Sequence, residues 1–350
     1  MKIEELDKNF KVDNEIDKTG LEFYSVDESP FRIYGVFREG DDYRRVPSDI
    51  ANTVSPGVAS LSKNTAGGRV RFVTDSKRLA IRARFKGVEH SAHMPYTNKG
   101  GIDIYVDADF VGIFVPPTKS PLESYESLRD LGSKKERVIT LNLPLYGALC
   151  ELFVGVDEGS LLKAAPDYEI ESPIVYYGSS ITQGGCASRP GMAYQSMISR
   201  WLDCDHINLG FSGNAKGERE IVDYMKGLEM SAFVCDYDYN APTVEHLSET
   251  HEPLYKAIRE AHPTMPILLV SRPSVINDPG RLARLDVIRT TYENAKAQGD
   301  DNVYLLDASD FFEFNSNEHT VDGCHPTDLG FYLMAKGIGK VLAKALGKEI

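Results

Sequence analysis

Two short segments far apart in this chain carry residues that could do chemistry together. The first is Tyr177-Gly178-Ser179-Ser180-Ile181-Thr182-Gln183-Gly184, which directly follows the apolar run Ile174–Tyr177. The second is Asp322-Gly323-Cys324-His325-Pro326, with a carboxylate three residues ahead of a histidine. A hydroxyl is a poor nucleophile until a base takes its proton. Ser180 is the candidate nucleophile and His325 the candidate base. Asp322 is close enough on one turn to fix the imidazole tautomer. Together the three residue types point to acyl transfer through a covalent serine ester.

Such a reaction passes through an oxyanion that needs hydrogen-bond donors aimed at it. Asn208-Leu209-Gly210-Phe211-Ser212-Gly213-Asn214 and Asp236-Tyr237-Asp238-Tyr239-Asn240 each follow an apolar run. A glycine in the first lets a backbone N–H approach a ligand closely. Asn240 offers a side-chain amide, and the N–H of Ser180 would be a third donor. Tyr237 and Tyr239 flank Asn240 and read either as lining of the acyl or sugar site or as packing at a strand end. Arg189, close to Ser180 in sequence, is a candidate for positioning a ligand. His90 and His93 have no further His or Cys nearby in sequence and read as surface or loop residues. No metal and no cofactor is expected. Cys186 and Cys324 read as small packing residues, His319 as solvated, Arg44 and Arg45 as surface charges, and Trp201 as core or inter-domain packing.

The elements that must position these groups fall into two patterns. Over roughly residues 1–165, apolar and polar residues alternate, as in Leu79-Ile81-Ala83-Phe85, Ile102-Ile104-Val106 and Ile139-Leu141-Leu143. Period two and intervening turns predict an antiparallel β-sandwich of jelly-roll type. From about residue 172 to 350, apolar runs alternate with helical periods. The runs are Ile174–Tyr177, His206–Leu209, Phe233–Asp236, Ile267–Val270 and Val303–Leu306. Helices are predicted around Met192–Leu202, Glu218–Leu228, His251–Ala261, Arg281–Gln298 and Leu329–Leu346. Strand–helix alternation predicts a parallel sheet in a three-layer α/β/α domain. The boundary is expected in Lys163-Ala164-Ala165-Pro166-Asp167. Ligands of such sheets sit beyond the carboxyl ends of the strands, where Ser180 falls.

The chain has 350 residues, 42% hydrophobic and 26% charged, with a formal net charge of −13. That composition supports a sizeable core. The acidic balance argues against a phosphate-backbone partner, so no nucleic acid is expected. No run is long enough to span a bilayer, so no membrane partner is expected. The N-terminal residues show no apolar leader, and the five cysteines form no CxxC pair. Reduced thiols and a cytoplasmic location are the expectation.

The four blocks around Ser180, Gly213, Asn240 and His325, in this order, resemble those of the SGNH (GDSL-type) hydrolases. That resemblance implies Ser180 as nucleophile, His325 as base and Asp322 as its orienting acid. It implies Ser180, Gly213 and Asn240 as the oxyanion donors. Two departures stand out: Ser179 replaces an aspartate, and Asp238-Tyr239-Asn240 shortens a Gly-x-Asn-Asp block. Gly184–Gly191 and Leu209–Asn214 look like a bacterial subgroup whose β-sandwich carries a glycine-x-aspartate-aliphatic-tyrosine motif. Gly101-Ile102-Asp103-Ile104-Tyr105 matches that motif. The two-domain plan is similar to carbohydrate esterase family 2, which removes acetyl groups from plant polysaccharide fragments. Some sandwich-bearing relatives use a Ser–His dyad, so Asp322 favours a triad without deciding it. Asp103 and Tyr105 are expected to hold the sandwich together or tie it to the second domain.

The leading expectation is a serine esterase that removes O-acetyl groups from an oligosaccharide or another small ester. A thioesterase or lysophospholipase-type acyl hydrolase is the nearest alternative. A catalytically silent carbohydrate-binding protein is the alternative of a different class. A homo-oligomer is compatible with the sequence.

Overall fold

The structure is a computed structural model that describes residues 3–7, 10–12, 15–273, 279–307, 310, 312 and 317–349. The N-terminal half is an antiparallel sandwich. One sheet orders Leu21–Ser25, Leu149–Asp157, Arg78–Val88 and Leu122–Asp130. The other orders Leu162–Lys163, Arg69–Thr74, Arg137–Asn142, Ile102–Val106 and Asp109–Phe114, with Arg32–Tyr34 also paired to Arg69–Thr74. Period two decides what each face carries. Val70, Phe72, Ile102, Ile104, Ile139 and Leu141 point inward and share one core with Leu79, Ile81 and Val154. Their alternates Arg69, Arg71, Asp103, Tyr105, Thr140 and Asn142 form the opposite face, which meets the C-terminal half.

The C-terminal half is a five-stranded parallel sheet. Its spatial order is Cys204–Gly210, Ile170–Gly178, Ala232–Asp236, Ile267–Val270, Val303–Leu306. Helices cover both faces, as an all-parallel sheet requires. Arg219–Met225, Val244–Ala261 and Pro279–Ala297 pack on one side, and Tyr194–Leu202 and Asp328–Ala345 on the other. Strand order reverses at Ile170–Gly178, whose neighbours are the second and third strands of the sheet. A reversal of this kind opens a crevice beyond the carboxyl ends, and Ser180 lies there.

Several expectations change. The helix expected from His251 begins at Val244, where the Thr243 side chain accepts the His246 N–H. Pro253 lies inside that helix and hid its first turns from a pattern reading. The β-rich half contains helices Ser48–Val54 and Pro56–Leu61. Their Ala51 and Val58, with Val46, join the core of the C-terminal half beside Tyr177 and Phe211. Helices of six or seven residues are too short to declare a period. Trp201 is not in the core: it is 36% exposed, edge-on to Tyr332. His319 is fully buried and stacked on Phe312 rather than solvated. Among the described residues no helix is long and apolar enough to cross a membrane.

Candidate active site

Glycines at the strand ends let the Ser180 turn form. A Cβ on Gly178 would lie 2.1 Å from the Asp236 carbonyl oxygen, and one on Gly210 2.1 Å from the Gln183 nitrogen. Both sites therefore exclude any side chain, and the chain turns sharply into one helical turn, Ser180–Gln183. Ser179 caps it, its hydroxyl accepting the Ile181 N–H at 3.1 Å. The serine that replaces the family aspartate thus serves as an N-cap.

The Ser180 Oγ lies 2.9 Å from His325 Nε2, and His325 Nδ1 lies 2.8 Å from Asp322 Oδ2. Ionised Asp322 can only accept, so Nδ1 carries the proton and Nε2 is left free to take one from Ser180. The other oxygen of Asp322 accepts the N–H groups of Cys324 at 3.0 Å and His325 at 2.8 Å. One carboxylate therefore folds the turn and orients the ring. Partial burial alone would raise the Asp322 carboxyl; its bonds from His325 and Cys324 outweigh that and hold it at about 2.

Gly213 occupies a turn with φ of +68°, the left-handed region that favours glycine. Neither its N–H nor that of Ser180 donates to a described residue. Asn240 donates one amide N–H to the Phe211 carbonyl at 2.9 Å, which ties it to the Gly213 loop and leaves its second N–H available.

Residues 171–343 match the family described as GDSL-like Lipase/Acylhydrolase. Residues 21–162 match the N-terminus of Esterase_SGNH_hydro-type. The chain belongs to the GDSL-like acylhydrolases. It superposes on a protein from Bacteroides ovatus described as a GDSL-like lipase, with TM-score 0.84, 27% identity, and coverage of 94% of this chain and 99% of that one. A salicylyl-acyltransferase, SsfX3, from a tetracycline biosynthetic pathway shares the fold at TM-score 0.76 and 19% identity, covering 94% and 98%. So does a family two carbohydrate esterase from Clostridium thermocellum, at TM-score 0.60 and 16% identity, covering 81% and 94%. No curated protein matches at a significant level.

In this GDSL-like acylhydrolase the sandwich reaches into the site. Asn98, fully buried, donates to the carbonyls of Gly184 at 2.9 Å and Ala187 at 3.0 Å. The Tyr146 hydroxyl donates to the Ser180 carbonyl at 3.1 Å. Arg45, expected on the surface, is 1% exposed and donates to the carbonyls of Asn208 at 2.9 Å and Gly210 at 2.6 Å. Burial pushes its guanidinium down to about 9. His93, read as an ordinary loop histidine, stands 3.9 Å from Asp322 Oδ2, with its ring centroid 5.7 Å from that of His325. Nothing in a single sequence joins positions this far apart.

Other candidates take different places. Arg189 does not aim at Ser180: it donates to Asp103 at 2.9 Å and Tyr105 at 2.7 Å and stacks on Phe110. It ties the two halves together, because buried Asp103 requires a cation. Tyr237 is 1% exposed, bonded to Thr250 and stacked on His251, so it packs the strand end instead of lining the site. Tyr239 is half-buried beside Cys324 and Arg272. Ligand atoms of His93, Cys186 and His325 lie within 4.8 Å of one another. That set could hold a soft divalent cation, but only by taking His325 from its role beside Ser180.

Proposed function

We propose that this protein is a serine esterase that removes short acyl groups, chiefly acetyl, from carbohydrate hydroxyls. The observation that carries the reading is the Ser180–His325–Asp322 chain, with contacts of 2.9 and 2.8 Å. Ser180 Oγ attacks the ester carbonyl as its proton passes to His325 Nε2. Asp322 stabilises the imidazolium. The N–H groups of Ser180 and Gly213 and the Asn240 amide meet the oxyanion. His325 then protonates the departing sugar oxygen, and the same base activates the water that releases acetate. The acetyl and sugar preferences rest on the resemblance to carbohydrate esterase family 2 and on the shared fold.

Acetate release from acetylated xylo-, manno- and cello-oligosaccharides and from 4-nitrophenyl acetate tests the reading, with Ser180→Ala as control. Release from a sugar that vanishes in Ser180→Ala is expected. Release from the nitrophenyl ester alone would remove the carbohydrate part. Acetyl transferred to an added alcohol in preference to water would make the protein an acyltransferase.

A further inference from the structure

The sandwich face that meets the hydrolase half carries a row of residues in cross-strand register. Arg32 pairs with Arg71, Arg71 with Thr140, and Thr140 with Tyr105. The next row contains Arg69, whose guanidinium is fully engaged with Asp205, the Gly67 carbonyl and His206. Arg71 is different. It is 8% exposed, and its Nε and Nη1 are shielded from solvent without an acceptor among the described residues. Its guanidinium lies 4.0 Å from the Tyr168 ring centroid. Arg200 repeats part of the pattern: its Nη2 donates to the Gly191 carbonyl at 2.9 Å, but its guanidinium lies 4.1 Å from the Tyr105 ring, and its Nη1 is buried with no acceptor among the described residues. Burial, opposed by Tyr105 and Asp103, holds Arg200 below the ordinary arginine range.

Both guanidinium groups border one cavity of about 400 Å³ at the domain junction, with Thr140, Asn142, Ser196 and Ser199 in its wall. The carboxylates in the same wall are turned to other partners. Asp167 pairs with Arg32, Asp107 accepts the Val138 N–H, and Asp203 accepts the Glu169 N–H. A buried charged donor without a partner costs several kcal/mol, and interiors match such groups. Cation-π contact with two tyrosines offsets only part of that. The cavity sits by Asp203, at the amino end of the parallel sheet, where the Asp203 carbonyl meets Ile170. Ser180 lies beyond the other end of that strand, roughly 25 Å away at about 3.3 Å per residue.

We propose that this cavity is a second ligand site, specific for a small oxyanion (a carboxylate or phosphate) held by Arg71 and Arg200. The anion would supply the acceptors both guanidinium groups lack, and the Thr140 hydroxyl in the wall would add a donor to its shell. Its volume admits either a free ion or the acidic group of a monosaccharide.

Calorimetry and thermal unfolding of the full chain with inorganic phosphate, acetate and glucuronate, each matched in ionic strength with chloride, test this. Saturable binding and a rise in Tm with at least one oxyanion, and none with chloride, is expected. Stronger binding of glucuronate than acetate would identify a carboxylate carried on a sugar, and phosphate alone a free ion. Arg71→Met should weaken binding at least ten-fold, and Arg71→Lys should restore part of it. Thr140→Glu places a carboxylate opposite Arg71, so it should bind no added anion and melt higher than the parent without ligand. No saturable binding of any of the three, or equal binding by Arg71→Met, overturns the proposal. If Arg71→Met does not fold, undiminished binding by Thr140→Glu overturns it instead.

Discussion

Asn98 belongs to the sandwich, yet its amide holds the loop that follows Ser180. Replacing it with alanine tests whether that half of the protein positions Ser180. Two buried hydrogen bonds, of 2.9 and 3.0 Å, would be lost, leaving the Ala187 carbonyl without a donor and the Gly184 carbonyl with only the longer bond from the Ala187 N–H at 3.3 Å. The orphaned carbonyl costs about 1–3 kcal/mol and the second lost bond about 0.5–1.5 kcal/mol, so the expected loss of stability is about 1.5–4.5 kcal/mol. At about 2–4 °C per kcal/mol, Tm should fall by roughly 3–18 °C. The Gly184 N–H closes the helical turn by bonding to the Ser180 carbonyl at 3.1 Å, so a shifted Gly184 moves Ser180. Misplacement by an ångström costs about 100-fold, and we expect kcat on 4-nitrophenyl acetate to fall about 10–100-fold with KM little changed. Asn98→Asp should be worse than alanine, because it points carboxylate oxygens at two carbonyls. Steady-state kinetics below the transition temperature and differential scanning calorimetry supply the readouts. A wild-type kcat in Asn98→Ala refutes the positioning argument even if Tm falls. An aspartate variant no worse than alanine refutes the assigned direction of the bonds.

Three further outcomes are expected. Asn240→Ala should lower kcat by about 10²–10³, the usual effect of removing one oxyanion donor; full activity would remove Asn240 from the site. Burial, opposed by the Arg272 N–H and the charges of Arg272 and Arg284, raises buried Asp238 to about 6. A carboxyl raised on folding stabilises less as pH climbs from its unfolded value, about 3.9, through 6, so Asp238→Asn should gain on the parent across that window, by at most roughly 3 kcal/mol. A Tm difference that does not change between pH 4 and 7 would contradict this. Gly57→Ala should lower Tm, because its Cβ would meet Asn214 Oδ1 at 2.0 Å. Helix propensity alone predicts a gain of about 1 kcal/mol, so a rise in Tm would show that Asn214 moves aside freely.

The sequence revealed what is local or periodic. Ser180 is legible from a strand-ending turn, Asp322 and His325 from a three-residue spacing, and both halves from periods of two and of 3.6. What it hid is contact between distant segments. Arg45 follows another arginine in a polar stretch and has no feature to distinguish it from a surface charge. Arg189 lay near Ser180 in number, which suggested a ligand, but its partner Asp103 comes from the other half. His93 meets Asp322 only because an inter-domain fold brings them together. The helices Ser48–Val54 and Pro56–Leu61 are too short to show a period, so their place in the second core could not be read.

Five of the hydrogen bonds from the sandwich to the Ser180 region share one form. Arg45, Asn98 and Tyr146 contribute side chains, whereas Asn208, Gly210, Gly184, Ala187 and Ser180 contribute main-chain carbonyls. Every amino acid offers the same carbonyl. At non-glycine positions such as Asn208 and Ala187, identity can therefore drift without breaking these bonds, provided the backbone path is kept. Tolerance to substitution at these carbonyls is thus lopsided, unlike at Gln183 and Arg189, whose own side chains bond to the sandwich. Joining this C-terminal half to another sandwich is therefore expected to need the three donors supplied here by Arg45, Asn98 and Tyr146, and also acceptors for Gln183 and Arg189.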